Sequence, residues 1–259
     1  MPAITSIINV HAEGSMARGA IESMLDAADY AAARGVDAQI LIIADRVTRD
    51  TIEAIRPFHD RVQIEHTNVR DLGLARNFGT EIAASEYIAF FDGDDLIGNT
   101  WLHKAFLVCK KNSKSIVHPN FFVSFGDGAR QHIAEVVPMS AARKSQLVFK
   151  NLFPSTHLTR RSTCLEVPYK KSDLSSGFGY EDWTWNRDTI RAGYTHVVAA
   201  DTILFWRRKQ IGSLSTESLS RKCLPMPSPR FFDTANFRGL PAEDNTVGSP
   251  RHIKRSPTA

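Results

Sequence analysis

Residues 87–95 have the sequence YIAFFDGDD, in which five apolar residues are followed by three carboxylates within four positions. The apolar run is typical of a buried strand in a parallel sheet. Ligands of open α/β sheets bind beyond the carboxyl ends of the strands, so Asp92, Asp94 and Asp95 lie where a site is expected. Crowded carboxylates disfavour joint ionisation unless a cation or protons intervene. The turn is therefore either a site for Mg²⁺ or Mn²⁺, which prefer oxygen ligands, or a polar turn that needs Asp and Gly for its backbone.

Strand-like and helix-like segments alternate before this stretch, at a spacing that predicts a mostly parallel, doubly wound α/β sheet. The predicted strands cover residues 4–10, 39–44, 61–66 and 87–91. The predicted helices cover residues 16–31 and 51–56 and a stretch whose buried face is formed by Leu74, Phe78 and Ile82. The pattern is less regular downstream, with helices predicted over 101–111 and from Asp182, and strands over 116–125, 132–137, 196–200 and 203–207. We interpret this second half as a continuation of the same domain.

The composition excludes several classes of protein. Hydrophobic residues make up 42% and charged residues 23% of the 259 positions, as in soluble globular proteins with a core. A fibrous protein, a fully disordered chain and a small disulfide scaffold are thereby excluded. The longest apolar runs have about five residues, far fewer than the ~20 that span a bilayer. The first residues lack the basic start and apolar run of a signal peptide, so we expect a cytoplasmic protein.

Cysteines and histidines give no sign of a zinc site. The three cysteines lie far apart and form no Cys-x-x-Cys pair, so neither structural zinc nor a disulfide framework is expected. Four histidines without metal-ligand spacing are predicted to be structural, namely His11, His66, His118 and His157.

The C-terminal segment is basic and rich in proline. From Arg221 onward it has seven basic and three acidic residues, which accounts for the whole formal charge of +4. A nucleic-acid-binding domain would carry its basic patch on the folded part, so nucleic acid is not expected as a partner. We predict one domain over residues 1–220 and a basic, proline-rich tail over 221–259. The tail is either loosely ordered or an arm that meets a phosphorylated acceptor or an anionic surface, such as the inner face of a membrane.

Two further segments are candidates for chemistry. Glu181 and Asp182 form a second carboxylate pair where a helix should begin, and acidic residues in a first turn also serve as helix caps. Adjacent helical side chains point in different directions, so at most one of the two is expected to face a cleft. Residues 206–215, WRRKQIGSLS, combine three cations with Gly and Ser. This composition suits a loop that grips phosphate, and it also suits a solvated basic turn.

The order of these features resembles glycosyltransferase family 2. The pattern runs over residues 4–215: a β-rich start, an acid after the second strand, Ala-Arg-Asn-x-Gly at 75–79, Asp-x-Asp-Asp at 92–95, Glu-Asp at 181–182, and the basic loop. The resemblance implies the GT-A fold, an α/β doubly wound mixed sheet with helices on both faces. It implies a nucleotide-sugar half over about 1–98 and an acceptor half over about 99–220.

The same resemblance implies an activity. A sugar would pass, with inversion, from a nucleotide-diphosphate sugar, most simply a UDP-sugar, to a hydroxyl of a carbohydrate or lipid-linked acceptor. Mn²⁺ or Mg²⁺ would be the cofactor, and the setting would be the synthesis of a bacterial polysaccharide or glycoconjugate.

The resemblance also implies roles on the donor side. Asn9, His11 and Glu13 match the first-strand motif that borders the nucleotide base, with Asn9 where proline is usual and His11 where an aromatic residue is usual. Asp45 matches the acid that meets the imide of the base. Its surroundings, Ala-Asp-Arg-Val-Thr, depart from the usual Asp-Asp-Gly-Ser-Thr, which leaves the base open. Arg76 matches a nucleotide contact.

The remaining roles concern the transfer itself. Asp92, with Gly93 after it, and Asp94 match the carboxylates that meet the ribose and the metal. Asp182 matches the general base, with Glu181 beside it. The closing loop near the diphosphate is matched by Arg207 and Ser213.

An inverting transfer needs one carboxylate opposite the leaving group and positive charge on the leaving diphosphate, and the chain supplies candidates for both. A non-catalytic nucleotide-sugar-binding protein of the same fold is the first alternative. An Asp-x-Asp phosphatase or phosphotransferase is the second. In the haloacid dehalogenase family, however, the motif follows the first strand and has Thr or Val where Leu96 stands here.

Overall fold

The computed structural model of the chain describes residues 1–127, 132–209 and 212–228. Its strands are β1 (Ile4–Val10), β2 (Ala38–Asp45), β3 (Gln63–Thr67), β4 (Tyr87–Asp92), β5 (Leu96–Ile97), β6 (Ser115–Gly126), β7 (His132–Glu135), β8 (His157–Arg160), β9 (Phe178–Gly179), β10 (Thr195–Arg208) and β11 (Leu224–Pro225). Its α-helices are α1 (Met16–Ala32), α2 (Arg49–Ile55), α3 (Leu72–Ile82), α4 (Trp101–Lys111), α5 (Arg161–Glu166), α6 (Glu181–Arg191) and α7 (Leu214–Ser220). Short 3-10 helices cover Arg56–Phe58, Ala141–Val148 and Leu174–Ser176.

Within the described residues, nine strands form one mixed sheet in the order β3-β2-β1-β4-β8-β6-β10-β5, and β7 pairs with β6. Strands β3, β2, β1 and β4 pair with one another in parallel. β8 lies antiparallel between β4 and β6, and β6 is parallel to β10. β5 and β7 are antiparallel to their partners. The predicted mixed, doubly wound sheet is therefore confirmed.

Helices cover both faces of the sheet. Ile8 of β1 packs in a core cluster with residues of α1 and α4, whereas Ile7 faces a second cluster to which α3, α5 and α6 contribute. Gly79 lets α3 lie close to the sheet, because a Cβ there would be 2.8 Å from Cγ2 of Ile7 and 3.1 Å from Cγ1 of Ile43. Burial of each such isoleucine contributes about 1.5–3 kcal/mol. This packing fixes α3 over the sheet, and α3 carries Arg76.

Two predicted strands are one in the structure. Residues 196–200 and 203–207 belong to the single strand β10, which bulges between Ala199 and Ile203 while staying paired with β6. Asp201, inside the bulge, has a φ of 54°. A bulge interrupts the alternation of side chains, which is why the sequence pattern is that of two strands.

Residues 221–228 belong to the folded body and not to a tail. β11 pairs with β9, and Nη2 of Arg187 donates to the carbonyl of Met226 at 2.7 Å. Cys223 and Ser228 are buried. The predicted boundary after residue 220 is thus too early, because two short strands too small to show in the sequence hold this segment. The rest of the predicted tail, residues 229–259, lies outside the described residues. No helix in the described part of the chain is long and apolar enough to cross a membrane.

Candidate active site

The acidic turn follows β4 at the carboxyl end of the sheet. Asp92, the last residue of β4, lies opposite Asn9 of β1, and the backbone N–H of Gly93 donates to the carbonyl of Asn9 at 3.1 Å. A Cβ at position 93 would be 2.7 Å from that carbonyl oxygen and equally close to Cγ1 of Val10. Glycine is therefore required here by the close approach of two backbones. This contact presses the turn against the end of β1.

Arg76 joins the acidic turn to helix α6. Its guanidinium is 1% exposed, and it donates to Oδ1 of Asp92 and to Oε1 of Glu181, both at 2.9 Å. Burial alone would lower the pKa of Arg76, but the charges of Asp92 and Glu181, with Tyr169 beside them, raise it above its usual value. Arg76 was predicted to contact the nucleotide. In the structure the side chain is enclosed and its terminal nitrogens hold two carboxylates, and the nucleotide contact stays a prediction.

Tyr180 directs the start of helix α6. Its backbone has φ 57° and ψ 61°, the left-handed region that a bulky residue enters at a cost of about 1–2 kcal/mol. Its carbonyl accepts hydrogen bonds from the N–H and the hydroxyl of Thr184, and its ring meets Trp183 edge-on at 5.8 Å. The chain therefore turns sharply into the helix. This turn sends the side chain of Glu181 inward to Arg76.

The two adjacent acids of α6 have different surroundings. Glu181 is 7% exposed and contacts Arg76, and burial raises the pKa of its carboxyl against the charge of Arg76. Asp182 is partly exposed. Its Oδ2 accepts from Nδ2 of Asn151 at 2.8 Å, and its Oδ1 accepts from the N–H of Trp183 at 2.7 Å. Burial raises the pKa of Asp182 as well. Asp182 is thus the more exposed residue of the pair.

The basic end of β10 is docked on the acidic turn. Nζ of Lys209 lies 2.7 Å from Oδ2 of Asp94, and Nε of Arg207 donates to the carbonyl of Asp94 at 2.9 Å. The backbone N–H of Arg207 donates to Oδ1 of the buried Asp95 at 2.8 Å. Burial raises the pKa of both Asp94 and Asp95. Arg207, predicted to contact the diphosphate, here holds the turn and lies over the ring of Phe125.

The predicted nucleotide residues surround the ends of β1 and β2. Asn9 is 6% exposed, and within the described residues its side-chain amide has no hydrogen-bond partner. Nδ1 of His11 lies 2.7 Å from the carbonyl oxygen of Asp45, and Oε2 of Glu13 accepts from the N–H of His11 at 2.5 Å. Burial raises the pKa of Glu13. Oδ1 of Asp45 accepts from the N–H of Arg70. The structure therefore brings these four predicted residues to one edge.

Ser213, the last predicted site residue, is the N-cap residue of α7. Its hydroxyl is 2.8 Å from that of Ser215, at the start of α7. Among the residues the structure describes, no hydrogen bond connects it with the acidic turn. Residues 210–211, which precede it, are outside the described part.

Three polar residues of the site were not predicted. Oγ of Ser155 donates to Oδ2 of Asp92 at 2.6 Å, and Asn151 donates to Asp182. Nδ2 of Asn186 donates in turn to Oδ1 of Asn151 at 3.0 Å. Ser155 and Asn151 lie in an irregular segment that gave no pattern. Asn186 stands four residues after Asp182 on the same helix, and that spacing is a signal from which it could have been found.

The acidic turn offers few side chains to a divalent cation. Asp94 already contacts a positive charge, the ammonium of Lys209, so its position suits a cation. Both oxygens of Asp92 accept hydrogen bonds. The described residues contain no group of three or more metal-ligating side chains. Mg²⁺ is commonly held by one or two carboxylates together with substrate phosphates, so Asp94 and Asp92 are the residues that would hold it.

Comparison with known proteins supports the interpretation of the fold. Residues 5–168 match the family described as glycosyl transferase family 2. No curated protein matches the chain. Among solved structures, S. aureus TarS 1-349 superposes with a TM-score of 0.58 at 14% identity, over 80% of this chain and 60% of that chain.

Complexes of the same protein are also similar. TarS 1-349 with UDP-GlcNAc gives a TM-score of 0.62 at 13% identity, over 83% of this chain and 61% of that chain. The UDP complex gives 0.59 at 13% identity, over 81% and 61%. The chain thus spans about three fifths of the length of TarS 1-349. At such identities the likeness shows the fold, which is the predicted GT-A fold.

Proposed function

This chain belongs to glycosyl transferase family 2, and from that premise we propose that it transfers a sugar from a nucleotide-diphosphate sugar to an acceptor hydroxyl with inversion. The observation that carries the proposal is the bridge from Asp92 through Arg76 to Glu181. It brings the acidic turn of the donor side and the acid pair of the acceptor side into one site. Similar structures hold UDP and UDP-GlcNAc, which supports a UDP-sugar as the donor.

We propose that the donor lies along the ends of β1, β2 and β4. In this proposal the carboxylate of Asp45 meets the base, and Asp92, whose side chain is 25% exposed, meets the ribose. The buried, unpartnered amide of Asn9 lies beside Asp92. A divalent cation on Asp94 would neutralise charge on the leaving diphosphate. Lys209, once displaced from Asp94, would add a second positive charge beside the same oxygens.

Asp182 is the general base of this proposal. A sugar hydroxyl is too weak an acid to ionise at neutral pH, so a carboxylate within about 3 Å of it must take the proton. Glu181 is nearly enclosed and engaged by Arg76, whereas Asp182 is partly exposed. Burial raises the pKa of Asp182, which makes its carboxylate a stronger base. These surroundings favour Asp182 over Glu181 as the general base.

A thermal-shift screen of nucleotide sugars, with and without Mn²⁺, tests donor binding. We expect a UDP-sugar to raise Tm, and we expect slow, metal-dependent release of UDP with water as acceptor. A protein that binds the donor and releases no UDP in the presence of Mn²⁺ would be the non-catalytic binder. If no nucleotide sugar raised Tm, the proposal would be wrong. The family match covers residues 5–168, which include the acidic turn. The Asp-x-Asp motif is therefore part of a glycosyltransferase match, and this gives the phosphatase alternative no support.

The acceptor and its setting are a further part of the proposal. We propose a carbohydrate or lipid-linked acceptor, in the synthesis of a bacterial polysaccharide or glycoconjugate. We propose also that the protein is cytoplasmic and works at the inner face of a membrane. Two basic residues of the predicted tail, Arg221 and Lys222, are exposed between α7 and β11. The sequence after residue 228 has five basic and three acidic residues. Pelleting with vesicles of neutral and anionic lipid tests the membrane contact. Equal pelleting would remove it.

A further inference from the structure

One irregular segment contacts both sides of the candidate site. This segment, residues 147–155, starts at the end of the Ala141–Val148 helix and leads to β8. The carbonyl of Leu147 accepts from Nε1 of Trp183 at 2.6 Å, Asn151 donates to Asp182, and Ser155 donates to Asp92. The segment therefore connects the carboxylate proposed for the acceptor with the one proposed for the donor.

We propose that Asn151 is a positioning residue that holds Asp182 in the orientation and ionised form in which it takes a proton. This inference rests on the proposed function, in which Asp182 is the base. Nδ2 of Asn151 lies 2.8 Å from Oδ2 of Asp182, and Oδ1 of Asn151 accepts from the buried Asn186 at 3.0 Å. A carboxylate only accepts hydrogen bonds, so the NH₂ group of Asn151 must face it. Asn186 fixes this orientation from the other side.

Buried histidines anchor the segment to the sheet. The ring of Phe153 stacks on those of His118 and His196, with centroids 4.8 and 4.6 Å apart. His118 and His196 are fully buried and lie 2.9 Å apart between Nε2 and Nδ1. Nδ1 of His118 donates to the carbonyl of Thr156 at 3.0 Å. Asn151 thus stands two residues from a rigid attachment, which is the condition for holding a carboxylate in place.

The ionisation of Asp182 depends on the charges and hydrogen-bond donors around it, and Asn151 is one of these donors. Arg76 on α3 favours the ionised carboxylate, whereas Asp92 on β4 and Glu181 on the same helix disfavour it. The N–H of Trp183 and the amide of Asn151 donate to it and favour ionisation. Loss of the Asn151 donor should therefore raise the pKa of Asp182. More of the base would then be protonated at a given pH.

The experiment compares Asn151→Ala with the wild type in UDP release from the UDP-sugar that raises Tm most, across pH 5.5–9. We expect kcat at pH 7 to fall about tenfold, the size expected for a lost hydrogen bond to a charged group. The acid limb of the kcat profile should move to higher pH, and the Kd of the donor should stay unchanged. Asn186→Asp should move the limb in the same direction, because a carboxylate there would turn the amide of Asn151 around.

Asn112→Ala is the matched control, since it removes a side-chain hydrogen bond at the exposed end of α4, to the N–H of Lys114. It should leave the profile unchanged. A kcat of Asn151→Ala that falls equally at every pH, or does not fall, would overturn the inference. If Asp182→Asn kept wild-type activity, or the wild type released no UDP, the proposed function would fail and the inference with it. A dead Asp182→Asn with an unshifted limb in Asn151→Ala would overturn the inference alone.

Discussion

The ammonium nitrogen of Lys209 lies 2.7 Å from Oδ2 of Asp94, and both side chains are largely buried, with exposures of 19% and 13%. Burial opposes the charge of the lysine, but Asp94 raises the pKa of Lys209 above its ordinary value. A cation of the chain itself thus contacts the carboxylate that is proposed to hold a metal ion. A divalent ion and Lys209 would compete for the same oxygen.

Asp94→Ala should abolish metal-dependent binding of a UDP-sugar. Without a cation, the diphosphate would meet the crowded charges of Asp92 and Asp95. Titration calorimetry with Mn²⁺ and with EDTA measures the effect. Equal donor affinity of the wild type under both conditions would show that the metal assignment is wrong.

Lys209→Met should strengthen the binding of Mn²⁺ to the nucleotide-free protein. The substitution keeps the length of the side chain and removes the charge that competes for Asp94. We expect a gain of about three- to tenfold, equivalent to roughly 1 kcal/mol for a partly buried ion pair. Electron paramagnetic resonance of free Mn²⁺ gives the affinity. Lys171→Met, at an exposed residue, is the control, and equal affinities in all three proteins would argue against competition.

Asp182→Asn should lower kcat by about 10²–10⁴-fold while donor binding survives, because a general base contacts the acceptor. Glu181→Gln should act chiefly on stability, since it leaves part of the buried charge of Arg76 without its partner. Transfer rates, donor Kd and Tm measured together separate the two effects. If Glu181→Gln were inactive and Asp182→Asn remained active, the general base would be Glu181 and not Asp182.

Acid should destabilise the fold through its buried histidines. Burial lowers the pKa of His118 to about 3 and that of His196 well below its usual value. The unfolded chain therefore binds more protons between pH 6.5 and pH 3. The contribution of these two histidines to the unfolding free energy is complete above pH 6.5. It is lost as the pH falls, by up to about 1.4 kcal/mol per pH unit for each histidine.

Urea unfolding of the wild type and of His118→Asn at pH 7.5, 6.5 and 5.5 measures that slope. The variant should be less stable at pH 7.5, and the difference in unfolding free energy should shrink towards pH 5.5. His66→Gln, at an exposed residue, should keep the wild-type slope. A constant difference between His118→Asn and the wild type would contradict the assignment.

The part of the molecule that could be predicted is the part built from repeated local patterns. The strands β1, β2 and β4 are apolar runs, β3 alternates, and the acidic turn follows directly from where β4 ends. Arg76 was found from its motif, but its contacts were not, because a sequence does not show that a guanidinium is enclosed. Asn151 and Ser155 could not be found, since they act through a segment without period whose position depends on buried rings far along the chain.

The two hydrogen bonds of Arg76 also imply a thermodynamic linkage across the site. Arg76 holds Asp92 close to Glu181, and the negative charge of Asp92 raises the pKa of both Glu181 and Asp182. A cation that binds beside Asp92 would offset that charge and favour ionisation of both acids. Reciprocity requires that ionisation of this acid pair strengthen cation binding by the same factor. Loading of the donor and readiness of the base would then be one coupled equilibrium, with a single buried side chain as its physical carrier.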